Sequence, residues 1–174
     1  MTGVHAIHGT VVAVAIDWDG PLVGILMLGE SGAGKSSLAL LSIETCPYRR
    51  TALVADDLVL IDYDGRALLA RAPESTAGLL EVRGVGLMKM RREALVELQL
   101  VIDFGVVPSR LPEVLRIQPI SNAPALPQYP FRWEGSEAAA AARLRMIARA
   151  VVGGQILWEA QDGGSNACDL SLKG

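Results

Sequence analysis

The 174-residue chain is poor in cysteine and in aromatic residues, and both shortages narrow its possible functions. Its two cysteines, Cys46 and Cys168, lie far apart and show no metal-binding spacing. So few cysteines argue against a disulfide-stabilised secreted protein, and we expect a reducing, cytoplasmic location. Aromatic residues make up only 5% of the chain, and Trp18, Trp133 and Trp158 are too scattered to form a base-stacking surface.

Long apolar runs and an excess of positive charge are missing as well. The longest apolar run, residues 22–28, has the length of a strand, whereas a membrane-spanning helix needs about 20 residues. The N-terminus also lacks the pattern of a secretion signal. The net charge is −3 and the pI about 5.4, so neither nucleic acids nor anionic membranes are expected partners. Apolar residues make up 51% of the chain, which is enough for one folded domain.

The apolar pattern predicts an α/β domain with more strand than helix. Residues 17–21 and the Asp64-Gly65 pair have the composition of tight turns, so the strands on either side of each are expected to form hairpins. Helices are predicted over residues 34–45 and over residues 137–152, the second with Ser136 as N-cap. Residues 108–130 hold six prolines and are predicted to be mostly loop and edge. Strands are predicted over residues 11–17, 22–28, 51–55, 58–63, 66–70, 79–83 and 95–103.

Residues 29–36 match the phosphate-binding pattern G-x-x-x-x-G-K-[ST] without a mismatch. An apolar strand precedes this loop and a helix follows it, so the loop has the context that the pattern requires. Its glycines allow backbone N–H groups to point at phosphate oxygens, Lys35 adds positive charge, and the Ser36 hydroxyl can bind Mg²⁺. A glycine-rich turn that binds nothing is the other interpretation, but a chance match in this context is rare. The predicted nucleotide-binding residues of the loop are Gly29, Glu30, Ser31, Gly32, Ala33, Gly34, Lys35, Ser36 and Ser37.

A second candidate site follows an apolar strand, where Asp56 and Asp57 stand side by side. In phosphate-loop proteins the end of such a strand often carries the carboxylate that orients a metal or accepts a proton. Neighbouring residues of a strand point to opposite faces, so we expect two roles: one carboxylate facing the nucleotide, the other anchoring the strand end or the metal's water shell. Alone, the pair would more often be a solvated turn, but the phosphate loop nearby favours a catalytic role.

Glu81 and Arg83 form a third candidate site, because residues two apart on a predicted strand share a face. A carboxylate and a guanidinium on one face can hold metal and phosphate together. Taken alone, the two residues are interpreted equally well as an ion pair on a sheet surface. His5 and His8 face opposite ways in an extended chain and cannot share a metal, and a lone histidine is more often structural.

In their order along the chain, these segments resemble the HPr kinase/phosphorylase family. The resemblance rests on residues 7–9 (IHG), the phosphate loop, residues 53–57 (LVADD) and residues 80–86 (LEVRGVG). The last of these resembles the family signature and is more specific than the phosphate loop. The similarity covers residues 4–90 well and residues 95–150 loosely.

The resemblance implies a strand-rich phosphate-loop kinase domain of the HPr kinase/PEP carboxykinase type over residues 1–152, without the family's additional N-terminal domain, and a partly flexible tail over residues 153–174. The family uses ATP and Mg²⁺ to phosphorylate a serine of the phosphocarrier HPr, in regulation of the sugar/nitrogen phosphotransferase system. It can reverse the step with inorganic phosphate, which forms pyrophosphate. Its members tend to form hexamers, so a homo-oligomer is an implied possibility.

Residue roles follow from the same resemblance. Asp57 matches the proton acceptor of the kinase reaction and the proton donor of the reverse reaction, with Asp56 as a close supporter. Arg83 joins the nucleotide-binding residues, and Arg110 matches a catalytic arginine through a loosely similar segment. The implied catalytic residues are His8, Lys35, Asp56, Asp57 and Arg110, and the implied metal ligands are Ser36 and Glu81.

Three departures from the family pattern bear on the function. Ser37 stands where the family usually has an acidic residue, and the stretch from Lys35 to Asp56 is somewhat long. Residues 117–131 lack the Gly-Arg-Asn element of the loop that serves dephosphorylation in the family. Kinase activity is therefore expected ahead of phosphorylase activity. Two alternatives remain open: a kinase for another protein or a small hydroxyl compound, and an ATP-gated binding module without turnover.

Overall fold

The computed structural model describes residues 3–107, 115–133, 135 and 137–154. The described part contains two α-helices, α1 (Lys35–Glu44) and α2 (Ala140–Val152), and two short 3-10 turns, Glu74–Thr76 and Glu137–Ala139. The strands are β1 (His5–His8), β2 (Thr10–Val14), β3 (Val23–Leu28), β4 (Ala52–Ala55), β5 (Leu58–Tyr63), β6 (Leu68–Arg71), β7 (Leu79–Val82), β8 (Gly86–Lys89), β9 (Val96–Asp103), β10 (Leu115–Ile117) and β11 (Leu126–Pro130).

Nine of the strands form one mixed sheet with the order β1-β5-β6-β9-β3-β2-β4, and β11 joins it by pairing with β9 and β10. The β3–β9 and β11–β9 pairs are parallel, whereas the other pairs are antiparallel. The β7–β8 hairpin is a separate two-stranded sheet. The phosphate loop leaves the carboxyl end of β3, an interior strand, which is where open α/β sheets usually bind ligands.

Two hydrophobic clusters cover the two faces of the sheet, because successive strand residues point to opposite sides. Val12 of β2 belongs to the cluster that contains Leu38 of α1 and Leu144 of α2. Its neighbour Val11 belongs to the opposite cluster, together with Leu68 of β6. Both residues of β2 are fully buried. The helices therefore pack on one face and fix the start of α1 against the end of β3.

Most of the predicted elements are confirmed with small changes at their ends. Each of the seven predicted strands corresponds to a strand of the structure, and both predicted hairpins form, as β2–β3 and β5–β6. The helix predicted over residues 34–45 is α1, and the one over residues 137–152 is a 3-10 turn followed by α2. No helix of the described residues is both long and apolar enough to cross a membrane. Ser136, Arg110 and residues 155–174 lie outside the described residues.

Four strands of the described residues were not predicted: β1, β8, β10 and β11. The strand β1 precedes β2 and pairs with β5, so His8 lies at a strand end opposite Leu58 and not in a leading loop. The exposed strand β8 pairs with β7. The expectation of loop and edge over residues 108–130 is wrong for β11, which lies between β9 and β10 although it contains Pro127 and Pro130.

Candidate active site

One cavity of about 380 Å³ brings together nearly all of the predicted site residues. It lies at the carboxyl end of β3, between the phosphate loop, the β4–β5 turn and the β7–β8 hairpin. The residues Glu30 and Ala33 of the loop do not line it, and Arg110 lies outside the described residues. The predicted residues that line it are His8, Gly29, Ser31, Gly32, Gly34, Lys35, Ser36, Ser37, Asp56, Asp57, Glu81 and Arg83.

The phosphate loop curls through three glycines that all have positive φ angles. Gly29, Gly32 and Gly34 have φ values of 146°, 84° and 97°, which side chains with a Cβ rarely adopt. The Lys35 ammonium donates hydrogen bonds to the carbonyls of Gly29 and Glu30, at 2.8 and 2.9 Å. The loop thus folds back around its own lysine, and α1 starts at Lys35 with its N-terminus beside the cavity.

Glu30 and Ala33 shape the loop although they do not line the cavity. The backbone N–H of Ala33 donates to the Glu30 carbonyl over 3.2 Å, which closes the turn between them. The Glu30 carbonyl also accepts from Lys35. Both residues contribute through the backbone, and their assignment as nucleotide-binding residues stays a prediction.

Asp56 joins three elements through its carboxylate. Its Oδ1 atom accepts hydrogen bonds from the hydroxyls of Thr10 and Ser36, at 2.7 and 2.9 Å. Its Oδ2 atom accepts from the backbone N–H of Glu81 over 3.3 Å. The residue is buried, with 8% of its surface exposed. The two aspartates therefore lie in different environments, and Asp56 holds β2, α1 and β7 together at the cavity.

Asp57 stands exposed at the turn between β4 and β5. Its φ of 68° lies in the left-handed region, and the flanking backbone closes through a hydrogen bond from Leu58 N–H to the Asp56 carbonyl. The Asp57 carbonyl accepts from the Gly9 N–H over 3.1 Å, and its Oδ1 atom lies 3.6 Å from His8 Nδ1. A non-glycine residue in this conformation often marks a functional site, because the surrounding structure must offset its strain.

Glu81 and Arg83 belong to the β7–β8 hairpin and both line the cavity. Glu81 lies opposite Leu87 in the antiparallel register, so these two side chains share a face. The Arg83 guanidinium lies beside Gly32, where an added Cβ would come within 2.9 Å of it. The hairpin therefore brings a carboxylate and a guanidinium to the phosphate loop.

The donor set suits Mg²⁺ held together with phosphate. Among the described residues, no group of three His, Cys, Asp or Glu side chains could hold a metal. Magnesium, however, is usually bound by one or two protein oxygens together with substrate phosphates and waters. The Ser36 hydroxyl and the exposed Glu81 carboxylate are oxygen donors on one cavity, so the residues fit such an ion.

Several residues of the cavity were missed, because no local motif marks them. Thr10 is fully buried, and only the folded structure brings its hydroxyl to Asp56, 46 positions away in the chain. Leu40 of α1 and Val82 of β7 add apolar lining. Gly9 was noted only as part of the family resemblance. A Cβ there would lie 2.9 Å from the Met27 carbonyl, so the close approach of the Gly9 backbone to β3 requires glycine.

One thiol outside the cavity has a shifted pKa. Burial alone would raise the pKa of Cys46, but hydrogen bonds from the Thr51 hydroxyl and from the backbone N–H groups of Thr51, Arg50 and Tyr48 lower it to about 7. Cys46 is 5% exposed and does not line the candidate site. The thiol is therefore polarised by its loop and takes no part in the cavity.

A family model described as "HPr Serine kinase C-terminal domain" matches residues 1–95, more than half of the chain. The HPr kinase/phosphorylase of Mycoplasmopsis pulmonis is 39% identical over 82 residues, which are 47% of this chain and 23% of that protein. The HPr kinase/phosphorylase of Clostridium beijerinckii is 47% identical over 83 residues, which are 47% of this chain and 24% of that protein. The matched part thus spans about a quarter of each relative.

A solved structure is similar over most of the chain. The structure of the Hpr(Ser) kinase/phosphatase from Coxiella burnetii has a TM-score of 0.62 and 21% sequence identity, and the match covers 88% of this chain and 97% of that chain. The two chains share a fold. Apart from Arg110, all of the predicted site residues fall inside the segment that the family model matches.

Proposed function

The chain belongs to the HPr serine kinase C-terminal domain family, and on that premise we propose that it is an ATP-dependent kinase for a serine of an HPr-like phosphocarrier protein. The observation that carries the proposal is the single cavity on which Lys35, Asp57 and Glu81 meet. A phosphate loop, a candidate base and a candidate metal ligand are the parts that phosphoryl transfer from a nucleoside triphosphate requires.

The phosphate loop is the part that would hold the triphosphate. The N-terminus of α1 opens onto the cavity, so its unpaired N–H groups and positive dipole end favour phosphate oxygens. Lys35 carries its charge at the same place, and Arg83 adds a second cation from the hairpin beside Gly32. Two cations and a helix end together suit a triphosphate better than a single carboxylate or a neutral ligand.

Ser36 and Glu81 are the residues that would hold Mg²⁺ with the phosphates. When bound, the ion supplies positive charge next to the transferred phosphoryl group. Asp56 orients both ligands, because it accepts a hydrogen bond from the Ser36 hydroxyl and another from the Glu81 backbone. Its role in this proposal is therefore positioning.

Asp57 would act as the base. The serine oxygen forms a bond to the γ-phosphorus while the bond to the ADP oxygen breaks, and the hydroxyl proton moves to an Asp57 carboxylate oxygen. His8 lines the same cavity with its Nδ1 atom 3.6 Å from Oδ1 of that carboxylate, where it would orient the base. The exposed position of Asp57 at the cavity edge leaves room for the hydroxyl of another protein.

The surface beside the cavity supports a protein as the acceptor. Val85 and Leu87 of the hairpin are 67% and 69% exposed, and Leu87 shares the face of Glu81. Exposed apolar side chains next to a phosphate site suit contact with a protein surface more than contact with a small polar hydroxyl compound. This favours a phosphocarrier over the small-molecule alternative.

A phosphotransfer assay tests the function directly. The purified protein is incubated with Mg²⁺, γ-labelled ATP and an HPr-like protein, with a serine-to-alanine variant of that acceptor as matched control. We expect label on the serine of the acceptor and none on the control. Label on small hydroxyl compounds alone would favour a small-molecule kinase. Tight ATP binding without transfer to any acceptor would favour an ATP-gated binding module without turnover.

The direction of the reaction is tested in a second arm. Phosphorylated acceptor is incubated with Mg²⁺ and inorganic phosphate, and pyrophosphate is measured. Residues 117–131 lack the Gly-Arg-Asn element, so we expect little pyrophosphate relative to the forward reaction. Comparable rates in the two directions would contradict that expectation without affecting the kinase proposal.

A further inference from the structure

Three aromatic rings form a column that leads to the phosphate loop. Phe104 follows the end of β9, and Phe131 and Trp133 follow β11. The ring centroids of Phe104 and Phe131 are 5.0 Å apart, and those of Phe131 and Trp133 are 5.5 Å apart with nearly perpendicular planes. These are favourable aromatic geometries. We refer to Phe104, Phe131 and Trp133 as the aromatic column.

The aromatic column touches both ends of the phosphate loop. A Cβ on Gly29, at the start of the loop, would lie 2.8 Å from Phe104 Cβ. A Cβ on Gly34, at its end, would overlap the Trp133 indole nitrogen. Both glycines are therefore required by the rings as well as by their positive φ angles.

Trp133 also makes a directed contact. Its indole N–H donates to the Ala33 carbonyl over 3.2 Å, across 100 positions of the chain. In a planar trans peptide the carbonyl and the next N–H point in opposite directions. The Gly34 N–H therefore points away from Trp133, and Gly34 lines the cavity whereas Trp133 does not. The indole thus selects the orientation of a peptide group that a phosphate would meet.

The column is itself held in place. Phe131 is 1% exposed and lies in the cluster formed with α1 and α2. The Arg143 guanidinium of α2 stands over its ring, 5.2 Å from the centroid. A cation over an aromatic face contributes attraction beyond packing. Trp133 is thus supported by buried structure on one side and meets the loop on the other.

We propose that Trp133 is a positioning residue that fixes the Ala33–Gly34 peptide of the phosphate loop in the orientation for phosphate binding. Its effect on nucleotide binding rests on the proposed function, whereas its effect on the loop does not. A merely space-filling tryptophan would change stability and leave the order of the loop unchanged. The order of the loop therefore distinguishes a positioning role of Trp133 from a purely structural one.

The test compares Trp133→Phe, which keeps a ring and removes the N–H donor, with Trp18→Phe as matched control. Trp18 is 71% exposed and packs on Tyr48, away from the loop. Backbone order parameters of the Ala33 and Gly34 amides are measured by NMR without nucleotide. In the wild type and the control we expect values near 0.85, and in Trp133→Phe values falling toward about 0.6.

A second readout is the affinity for Mg²⁺ and a non-hydrolysable ATP analogue, measured by calorimetry. Loss of one hydrogen bond that orients the loop is expected to weaken binding about fivefold in Trp133→Phe and not in Trp18→Phe. Unchanged loop order and unchanged affinity in Trp133→Phe would overturn the proposal. If the loop loosens but the wild type binds no nucleotide, the positioning role stands and the kinase function is wrong.

A measurement on the wild type covers the case in which Trp133→Phe does not fold. Hydrogen exchange of the indole N–H groups is followed by NMR, because a bonded donor exchanges more slowly than a solvent-exposed one. We expect the Trp133 indole N–H to exchange at least about tenfold more slowly than that of Trp18. Equal rates would contradict the bond to Ala33 and the proposal with it.

Discussion

The two walls of the cavity are built in different ways. The wall of the phosphate loop continues from a buried strand of the large sheet, and the rings of Phe104 and Trp133 press on its two end glycines. The wall of the β7–β8 hairpin belongs to a separate two-stranded sheet, and all four residues of β8 are exposed. Its tip glycines, Gly84 and Gly86, have positive φ angles and nothing within 4 Å of an added Cβ.

This difference suggests that the phosphate-loop wall and the hairpin wall have different roles. Phosphate binding gains from groups that are fixed before the ligand arrives, because preorganised dipoles need no rearrangement. In the hairpin wall the buried Leu80 anchors β7, whereas β8 and the hairpin tip are exposed, and such exposed segments open at low free-energy cost. Asp56 is the link between the walls, since it accepts from Ser36 on one side and from Glu81 on the other.

The largest expected effect is a loss of phosphoryl transfer while nucleotide binding stays intact. In Asp57→Asn, which leaves both walls in place, we expect phosphoryl transfer to fall by about 10²- to 10⁴-fold through loss of the base. Affinity for the ATP analogue should stay within a few-fold, as measured by calorimetry. Asp19→Asn, an exposed change at the β2–β3 turn, is the control. Full transfer activity in Asp57→Asn would show that Asp57 is not the base.

The next largest effect is on nucleotide binding and concerns the wall of the phosphate loop. Lys35→Ala removes the cation that the loop surrounds, and we expect roughly ten- to hundredfold weaker nucleotide binding, the range of a hydrogen bond to a charged group. Lys89→Ala, at the exposed end of β8, is the matched control and should bind as the wild type does. Equal affinities of the two variants would mean that the loop does not hold the phosphates.

A pair of glycine substitutions compares the walls directly. Gly34→Ala and Gly84→Ala both place a Cβ at a positive φ, of 97° and 76°, but only the first meets a ring. The left-handed conformation alone costs about 1 kcal/mol. We therefore expect Gly84→Ala to lower the free energy of unfolding by about that amount and to keep nucleotide binding. Gly34→Ala should lose more stability and bind at least about tenfold more weakly. Equal losses of stability and of nucleotide affinity in the two variants would show that the two walls do not differ in this way.

The last prediction concerns the stability of the link between the walls. Thr10→Val removes the buried hydroxyl that donates to Asp56, and the free energy of unfolding should fall by about 1.5–3 kcal/mol, the range for a hydrogen bond to a charged group. Thr45→Val removes an exposed hydroxyl that donates to the Leu41 carbonyl, and should change stability by less than about 0.5 kcal/mol. Equal losses in urea titrations would show that Asp56 does not depend on Thr10.

Local patterns predicted the parts of the fold whose cause is local. The strand, loop and helix around Lys35 follow from apolar periodicity and glycine spacing within about 20 residues. The strands β1 and β8 were missed because most of their residues are exposed and show no apolar alternation. Their pairing is determined by β5 and β7, which supply the partner backbone.

The site could be predicted as a set of residues but not as a geometry. The side-by-side aspartates indicated two roles, yet the left-handed turn at Asp57 also accepts a hydrogen bond from Gly9, which lies between β1 and β2. The bonds of Thr10 to Asp56 and of Trp133 to Ala33 join residues 46 and 100 positions apart. No local pattern contains contacts of that range, so the supporting residues appear only in the folded chain.

The most direct test of the central claim is a crystal structure of the protein with Mg²⁺ and a non-hydrolysable ATP analogue. We expect the β- and γ-phosphates to lie on the backbone N–H groups of residues 29–36, with Lys35 beside them. The carboxylates of Asp57 and Glu81 should face the γ-phosphate from the two walls. A nucleotide bound elsewhere, or either carboxylate directed away from the γ-phosphate, would contradict it.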